Sequence, residues 1–229
     1  MKKTAIVTAA SKGIGAGVAR RLAADGYTVG VLGRSDGTEA LAAEIGGFAV
    51  KGDVTVAADL EKLVAAAREK TGRIDAVVVS VGHAAKGTLL GISDEDWHAA
   101  LDMLLMPTVR LARLTAADLA ASKGALVAIS SYAAIRPDAG FVVSSALRGA
   151  LTNYVRMLAR DWAKDGVSVN AIAPGFIDSL PEKAERVAAI PAGRYGHVDE
   201  IAEAAAYLVS SAARYVTGQT IAVDGALTS

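Results

Sequence analysis

The sequence of 229 residues has no cysteine, few aromatic residues and no excess of either charge. The absence of cysteine excludes disulfide bonds, thiolate zinc sites and a cysteine nucleophile. Lysine plus arginine and aspartate plus glutamate number 24 each, so no net charge draws the chain to nucleic acid or to an anionic membrane. No apolar run approaches the roughly 18 residues that span a bilayer, and the run at residues 5–7 is too short for a signal peptide. We therefore expect a cytoplasmic protein without a nucleic-acid or membrane partner.

Short β-branched runs alternate along the chain with longer alanine-rich stretches, and 52% of the residues are hydrophobic. Such runs are typical of strands that are buried on both faces of a parallel sheet. Strands are predicted at 5–8, 28–32, 49–50, 76–80, 126–130, 168–172 and 220–223. Helices are predicted near 14–25, 37–45, 57–70, 96–121, 142–164 and 198–210. Three helices have stop signals before the next strand, at Asp25-Gly26, Thr71-Gly72 and Asp165-Gly166. The alternation predicts one α/β domain over residues 1–229, with a doubly wound parallel sheet of about seven strands.

A glycine-rich turn, TAASKGIG at residues 8–15, follows the first predicted strand and opens the first helix. Glycine lets the backbone approach a pyrophosphate, whose charge is favoured by a helix N-terminus. We expect a dinucleotide to contact Ser11, Lys12, Gly13, Ile14 and Gly15.

The end of the second predicted strand indicates which dinucleotide binds. Arg34 and Ser35 stand at this position. An acidic residue here would hydrogen-bond a free ribose 2′-hydroxyl, whereas a guanidinium forms paired hydrogen bonds to a 2′-phosphate. Lys12 adds a second cation on the same side. These residues predict NADP(H) over NAD(H), the alternative being two solvated surface cations.

Several motifs resemble those of the short-chain dehydrogenase/reductase family. Residues 8–15 resemble its TGxxxGIG motif, with Ala9 in place of the first glycine. Its adenine-binding motif is matched by DVT at residues 53–55, and its NNAG motif corresponds to VSVG at 79–82. Its later motifs are matched by VNAIAPGFI at 169–177, VTGQ at 216–219 and VDG at 223–225. The resemblance implies a Rossmann-type sheet with strand order 3-2-1-4-5-6-7 and a homo-oligomer, a dimer or tetramer. It also implies further cofactor contacts from Asp53, Val54, Gly82, Arg148, Pro174, Gly175 and Ile177.

The reactive residues depart from that family, which usually works with asparagine, serine, tyrosine and lysine. No tyrosine in this chain has a lysine four residues later. Aligned on Ile129-Ser130-Ser131, the family positions fall on Leu104, Ser131, Ser144 and Arg148. Ser144 is too weak an acid to replace a phenol, while Arg148 keeps a positive charge but cannot carry a proton. The alternative for Arg148 is a solvated helix arginine.

Two other side chains are candidate proton donors. Tyr132 follows Ser131 directly, which resembles the 2,4-dienoyl-CoA reductase branch, where serine occupies the usual tyrosine position and an upstream tyrosine protonates carbon. That branch keeps its lysine and asparagine, so a wall residue is an equally open interpretation of Tyr132. His83 follows Gly82 and would lie near the nicotinamide, unless it is a surface loop histidine. The halohydrin dehalogenases also carry an arginine, but they lose the glycine-rich loop that this chain keeps.

The leading hypothesis is an NADP(H)-dependent oxidoreductase that transfers hydride to an activated C=C or C=N bond of a small molecule. Its catalytic residues would be Ser131, Tyr132, Ser144 and Arg148, and a short substrate loop would lie near 175–196. Spacing around the three histidines predicts no metal site. The alternative is a catalytically degenerate, nucleotide-binding pseudo-reductase that acts as a sensor or partner subunit.

Overall fold

The computed structural model describes residues 2–229, which contain one sheet of seven parallel strands. The strands are β1 (Thr4–Val7), β2 (Thr28–Gly33), β3 (Phe48–Lys51), β4 (Ala76–Val79), β5 (Ala125–Ile129), β6 (Ser168–Pro174) and β7 (Thr220–Val223). Their spatial order is β3-β2-β1-β4-β5-β6-β7, so the predicted order is confirmed. The central strands β1, β4, β5 and β6 are buried throughout, which is why their sequences are short apolar runs without alternation.

Helices cover both faces of the sheet. They are α1 (Gly13–Ala24), α2 (Gly37–Glu44), α3 (Ala57–Thr71), α4 (Asp94–Leu104), α5 (Met106–Ser122), α6 (Val142–Trp162), α7 (Ala184–Ala189) and α8 (Val198–Val209). One apolar cluster joins α1, α2 and α8 to the sheet, and a second joins α3, α5 and α6 to the opposite face. The three predicted stop signals are confirmed, because Gly26, Gly72 and Gly166 adopt positive φ angles of 88°, 71° and 74° after their helices. The architecture is therefore a doubly wound, Rossmann-type fold.

The prediction of one continuous helix over 96–121 is wrong. The chain forms α4 and α5, which are separated at Leu105, where φ is −117° and ψ is −50°. Pro107 stands at the start of α5. It has no N–H to donate to the preceding turn, and its ring crowds that turn, so the helix breaks there. The prediction gave the periodicity of both helices correctly but missed this effect.

The sheet order creates a crevice at the carboxyl ends of the strands. From β1 the chain winds outward to β2 and β3, and β4 lies on the other side of β1, so the loops after β1 and β4 separate at this edge. The predicted substrate loop near 175–196 rises from the same edge. Its base is closed by backbone hydrogen bonds from Asp178 to Gly196 (2.9 Å) and from Gly196 to Phe176 (2.9 Å), and it contains the short helix α7.

Candidate functional site

A cleft of about 870 Å³ runs along the carboxyl edge of the sheet. Every cofactor-binding residue predicted from the sequence lines it: Ser11, Lys12, Gly13, Ile14, Gly15, Arg34, Ser35, Asp53, Val54, Gly82, Arg148, Pro174, Gly175 and Ile177. The predicted catalytic residues Ser131, Tyr132 and Ser144 line its other end, together with His83. Leu104 is buried in the core at the end of α4 and does not line the cleft.

The glycine-rich turn requires glycine at two positions, one because of its backbone angle and one because of its close packing. Gly13 has a φ of +59°, a conformation that side chains rarely adopt, and a Cβ on Gly15 would lie 2.6 Å from the carbonyl oxygen of Ala9. Lys12 caps α1 without a side-chain hydrogen bond, and no acidic residue stands in the first turn of α1. The first N–H groups of α1 are thus free of protein side-chain partners and favour an anion.

Ala9 differs from the glycine of the family motif in an informative way. Its φ is +48°, in the left-handed region, so the backbone keeps the shape that glycine would adopt freely. The methyl group is accommodated at the cost of backbone strain.

The adenine end of the cleft carries exposed cations. Arg34 is 73% exposed at its side chain, and its Nη1 lies 3.5 Å from Oδ2 of Asp53. Asp53 also accepts hydrogen bonds from the backbone N–H and the hydroxyl of Thr55, both at 2.9 Å. The guanidinium of Arg34 is therefore held loosely and stays available to a phosphate.

Arg148 lies inside the protein rather than on its surface, so the interpretation of a solvated helix arginine is excluded. The residue is 6% exposed, and its guanidinium donates to the carbonyl oxygens of Ile129 (2.7 Å) and Gly82 (3.5 Å). Its Nε has no partner within residues 2–229. Burial lowers the pKa of Arg148 to about 10, which leaves it charged at neutral pH. Arg148 therefore links the segments that follow β4 and β5, and its side chain lines the cleft while its Nε is buried.

Ser131 and Ser144 line the same cleft as Arg148. The hydroxyl of Ser131 accepts a hydrogen bond from the N–H of Ala133 (3.2 Å), which caps a short 3-10 turn. Ser144 makes no side-chain hydrogen bond in the part of the chain described. Its neighbour Ser145 bonds instead to the backbone of Asp138. Ser144 is thus free to contact a ligand.

Tyr132 lines the cleft, but its proton is engaged. Its hydroxyl donates to Oδ2 of Asp138 at 2.6 Å, and the ring packs against Phe141 and Phe176. Burial, followed by the hydrogen bond to Asp138, raises the pKa of Tyr132. Both effects oppose proton donation into the cleft, and the acid role of Tyr132 stays a prediction.

His83 lies at the exposed edge of the same end. Partial burial of the ring lowers its pKa, and the positive charges of Arg148 and Lys86 lower it further. The imidazole is therefore neutral at pH 7 and a poor source of protons.

An aromatic and cationic wall was missed from the sequence. Phe141 and Phe176 face the reactive end, where Lys86 and Arg186 lie over their rings. The sequence contains 3 phenylalanines, and two of them, Phe141 and Phe176, stand next to motif residues. This position beside the motifs could have predicted that they line the site. The two cations come from loops with no motif.

Within residues 2–229, no group of three or more histidine, aspartate or glutamate side chains is arranged to hold a metal ion. None of the helices in that range has both the length and the apolar character needed to cross a membrane.

Comparison with known proteins agrees with the fold and the motifs. Residues 8–228 match the family model described as Enoyl-(Acyl carrier protein) reductase. The 3-oxoacyl-[acyl-carrier-protein] reductase FabG of Escherichia coli K12 is 33% identical over 236 residues, covering 98% of this chain and 97% of the relative. FabG of Staphylococcus aureus Mu50 is 31% identical over 242 residues, covering 99% and 98%.

A solved structure extends the likeness to three dimensions. The blue fluorescent protein from a metagenomic library, crystallised in complex with NADPH, superposes with a TM-score of 0.94 at 30% sequence identity, covering 99% of this chain and 98% of that one. The family match spans nearly the whole chain, and the glycine-rich turn, the sheet order and the later motifs agree with it. The chain therefore belongs to the short-chain dehydrogenase/reductase family of oxidoreductases.

Proposed function

We propose that the protein is an NADP(H)-dependent reductase that adds hydride to a C=C bond activated by a carbonyl group. The observation that carries the proposal is the single cleft, which joins a glycine-rich nucleotide end to a reactive end with Ser131, Ser144 and Arg148. The NADPH in the similar solved structure supports the cofactor, and the names of the FabG relatives support a reductase without indicating a C=C bond.

The residues of the nucleotide end fit this cofactor. The first turn of α1 offers N–H groups to the pyrophosphate, and Gly15 lets the turn pack on its own backbone, where a Cβ would lie 2.6 Å from the carbonyl oxygen of Ala9. Arg34 and Lys12 would hold the 2′-phosphate. Arg148 would contact the nicotinamide ribose. When bound, NADPH supplies a hydride to the β-carbon of the double bond.

The charge of the reactive end favours C=C over C=N reduction. An iminium substrate is itself a cation, and Lys86, Arg148 and Arg186 would repel it. Hydride addition to an enone instead places negative charge on the carbonyl oxygen. The guanidinium of Arg148 and the hydroxyls of Ser131 and Ser144 are donors suited to that oxygen.

Water is the proton source that best fits the geometry. The α-carbon must gain a proton after hydride arrives, and the proton of Tyr132 is held by Asp138 at 2.6 Å. We propose that Tyr132 shapes the wall and that solvent entering beside His83 protonates the carbon. In Tyr132→Phe, turnover should change less than 10-fold, whereas loss of a general acid costs about 10²–10⁴-fold.

The experiment is a titration with NADPH and NADH followed by a substrate panel. Nicotinamide fluorescence should show tighter binding of NADPH, and absorbance at 340 nm should show its oxidation by 2-cyclohexenone and open-chain enones. Cyclic imines should react more slowly. Reduction of imines but not enones would contradict the proposed bond type, and absence of binding by either nucleotide would contradict the cofactor.

A second function is favoured by the replaced positions Leu104, Ser144 and Arg148. Such a protein would bind NADP(H) as a sensor or partner subunit and perform no hydride transfer. Tight NADPH binding with no oxidation across the whole panel would support it. The homo-oligomer and the cytoplasmic location also remain predictions, and size-exclusion chromatography with light scattering tests the first of them.

A further inference from the structure

The reactive end of the cleft is lined by basic side chains without an acidic one among them. They are Lys86, Arg148 and Arg186 and, as a neutral imidazole, His83. Asp53, the acidic residue among the lining residues of the cleft, lies at the opposite end beside Arg34. A cavity with charges of one sign concentrates ligands of the other sign.

Arg148 shows that this end lacks a counter-charge of its own. Its guanidinium is buried, its partners are two neutral carbonyl oxygens, and its Nε is unpartnered within residues 2–229. No aspartate or glutamate in that range lies within ion-pair distance of it. A buried cation without a carboxylate is costly, and a negatively charged ligand would offset that cost.

Lys86 and Arg186 form a second, more accessible pair of cations around Phe141. The Nζ of Lys86 lies 4.7 Å from the centre of the Phe141 ring, and the Cζ of Arg186 lies 5.9 Å from it. Arg186 also lies 4.7 Å from the centre of Phe176. Among the residues described, neither cation forms an ion pair. Their heads are therefore held at the cleft by aromatic rings while their charges remain uncompensated.

The nearest acidic groups do not neutralise this pair. Asp138 and Glu185 line a neighbouring cavity of about 520 Å³ that Arg186 also lines, but within residues 2–229 neither carboxylate forms an ion pair with Arg186. Asp138 accepts hydrogen bonds from the hydroxyl of Tyr132 (2.6 Å) and the N–H of Gly140 (2.7 Å). Glu185 lies 3.9 Å from Lys183.

We infer that the natural substrate carries a carboxylate in addition to its activated C=C bond, and that Lys86 and Arg186 bind this carboxylate. The inference rests on the proposed function for the identity of the reacting C=C bond. The binding of the carboxylate does not depend on that function. The planar fork of Arg186 suits a carboxylate, and Lys86 supplies a point charge beside the same Phe141 ring. The aromatic rings would contact the apolar part of the same molecule.

The test compares 3-benzoylacrylate with its methyl ester, which has the same enone but no charge. The chain has no cysteine that could add to either compound. Calorimetry on the protein saturated with NADP⁺ measures binding without turnover, and absorbance at 340 nm with NADPH measures reduction. We expect the acid to bind more tightly than the ester. The double variant Lys86→Gln with Arg186→Gln should reduce that preference about 10- to 100-fold, the range for hydrogen bonds to charged groups.

The control variant is Lys164→Gln, which removes an exposed lysine after α6, away from the cleft. It should leave the preference for the acid unchanged, and the affinity for NADP⁺ should be equal in wild type and double variant. Equal binding of acid and ester in the wild type would overturn the inference, and so would a double variant that loses NADP⁺ instead of the acid. Tight binding of the acid without reduction would support the carboxylate site and contradict only the proposed reaction.

Discussion

The two ends of the cleft are built from different parts of the polypeptide. At the nucleotide end the shape comes from backbone, as at Gly13 with its positive φ and Gly15 with its close neighbours. At the reactive end the surface comes from side chains: a buried arginine, two phenylalanines and cations on separate loops. A backbone-built site accepts few substitutions, because a Cβ at Gly15 would meet main chain and a side chain at Gly13 would have to adopt a positive φ. A side-chain site can change its chemistry without disturbing the sheet that supports it, and we expect such a change at Ser144 and Arg148.

The largest effect is expected when the tyrosine and lysine that the family usually carries are restored at the reactive end. The double variant Ser144→Tyr with Arg148→Lys should gain reduction of a 3-oxo ester by about 10²-fold or more, because a positioned general acid contributes about 10²–10⁴-fold. NADPH oxidation with ethyl acetoacetate measures it, with Ser144→Tyr alone as the control. If the double variant folds and binds NADPH but reduces no ketone, the reactive end differs from its relatives in more than these two residues.

The nucleotide end is tested by Arg34→Ala. Its guanidinium is loosely held at 3.5 Å from Asp53 and is expected to bind the 2′-phosphate. Loss of a charged hydrogen bond should weaken NADPH binding about 10- to 100-fold. NADH lacks the phosphate and serves as the internal control, so its dissociation constant should stay the same. Equal weakening of both nucleotides would assign Arg34 to another part of the cofactor.

A smaller effect is expected for Ala9→Gly. Because φ at Ala9 is +48°, glycine should relieve strain and raise the free energy of unfolding by up to about 1 kcal/mol, after its greater freedom in the unfolded chain is subtracted. Urea denaturation measures the change. The matched control is Ala10→Gly, at a neighbouring buried position without positive φ, which should be destabilising. Equal destabilisation by both variants would show that the turn is not strained.

The smallest effect concerns the junction between the substrate loop and α8. The carboxylate of Glu200 accepts from Arg194 (2.8 Å) and from the N–H of His197 (2.7 Å). The Arg194 hydrogen bonds, followed by that of His197, lower the pKa of Glu200 to about 2. Its stabilising contribution is therefore present above the ordinary value of 4.5 and lost as pH falls through about 2.

Glu200→Gln should consequently reduce the free energy of unfolding at pH 7 by about 0.5 kcal/mol, as for a weakened cap. Thermal unfolding of both proteins across the acid range measures the difference, which should narrow below pH 4.5. A difference that stays constant down to pH 2 would assign the effect to the shape of the side chain rather than to its charge.

The sequence by itself determined the alternation of strands and helices, the helix stops and the glycine-rich turn, whereas the sheet order followed from the family resemblance. Those features depend on local rules: apolar runs make buried strands, glycine allows positive φ, and a turn between strand and helix offers N–H groups to an anion. The break at Leu105 also had a local cause, Pro107, which periodicity alone did not reveal.

Only the tertiary structure decided the chemistry of the reactive end. The burial of Arg148 against Ile129 and Gly82 and the approach of Lys86 to Phe141 join separate segments of the chain. The hydrogen bond from Tyr132 to Asp138 forms within the connection between β5 and α6. Spacing along the sequence carries no information about which side chains meet there or which protons are already engaged. A sequence motif predicts where the backbone of a site lies. The protonation and charge of the site depend instead on contacts that form when the chain packs.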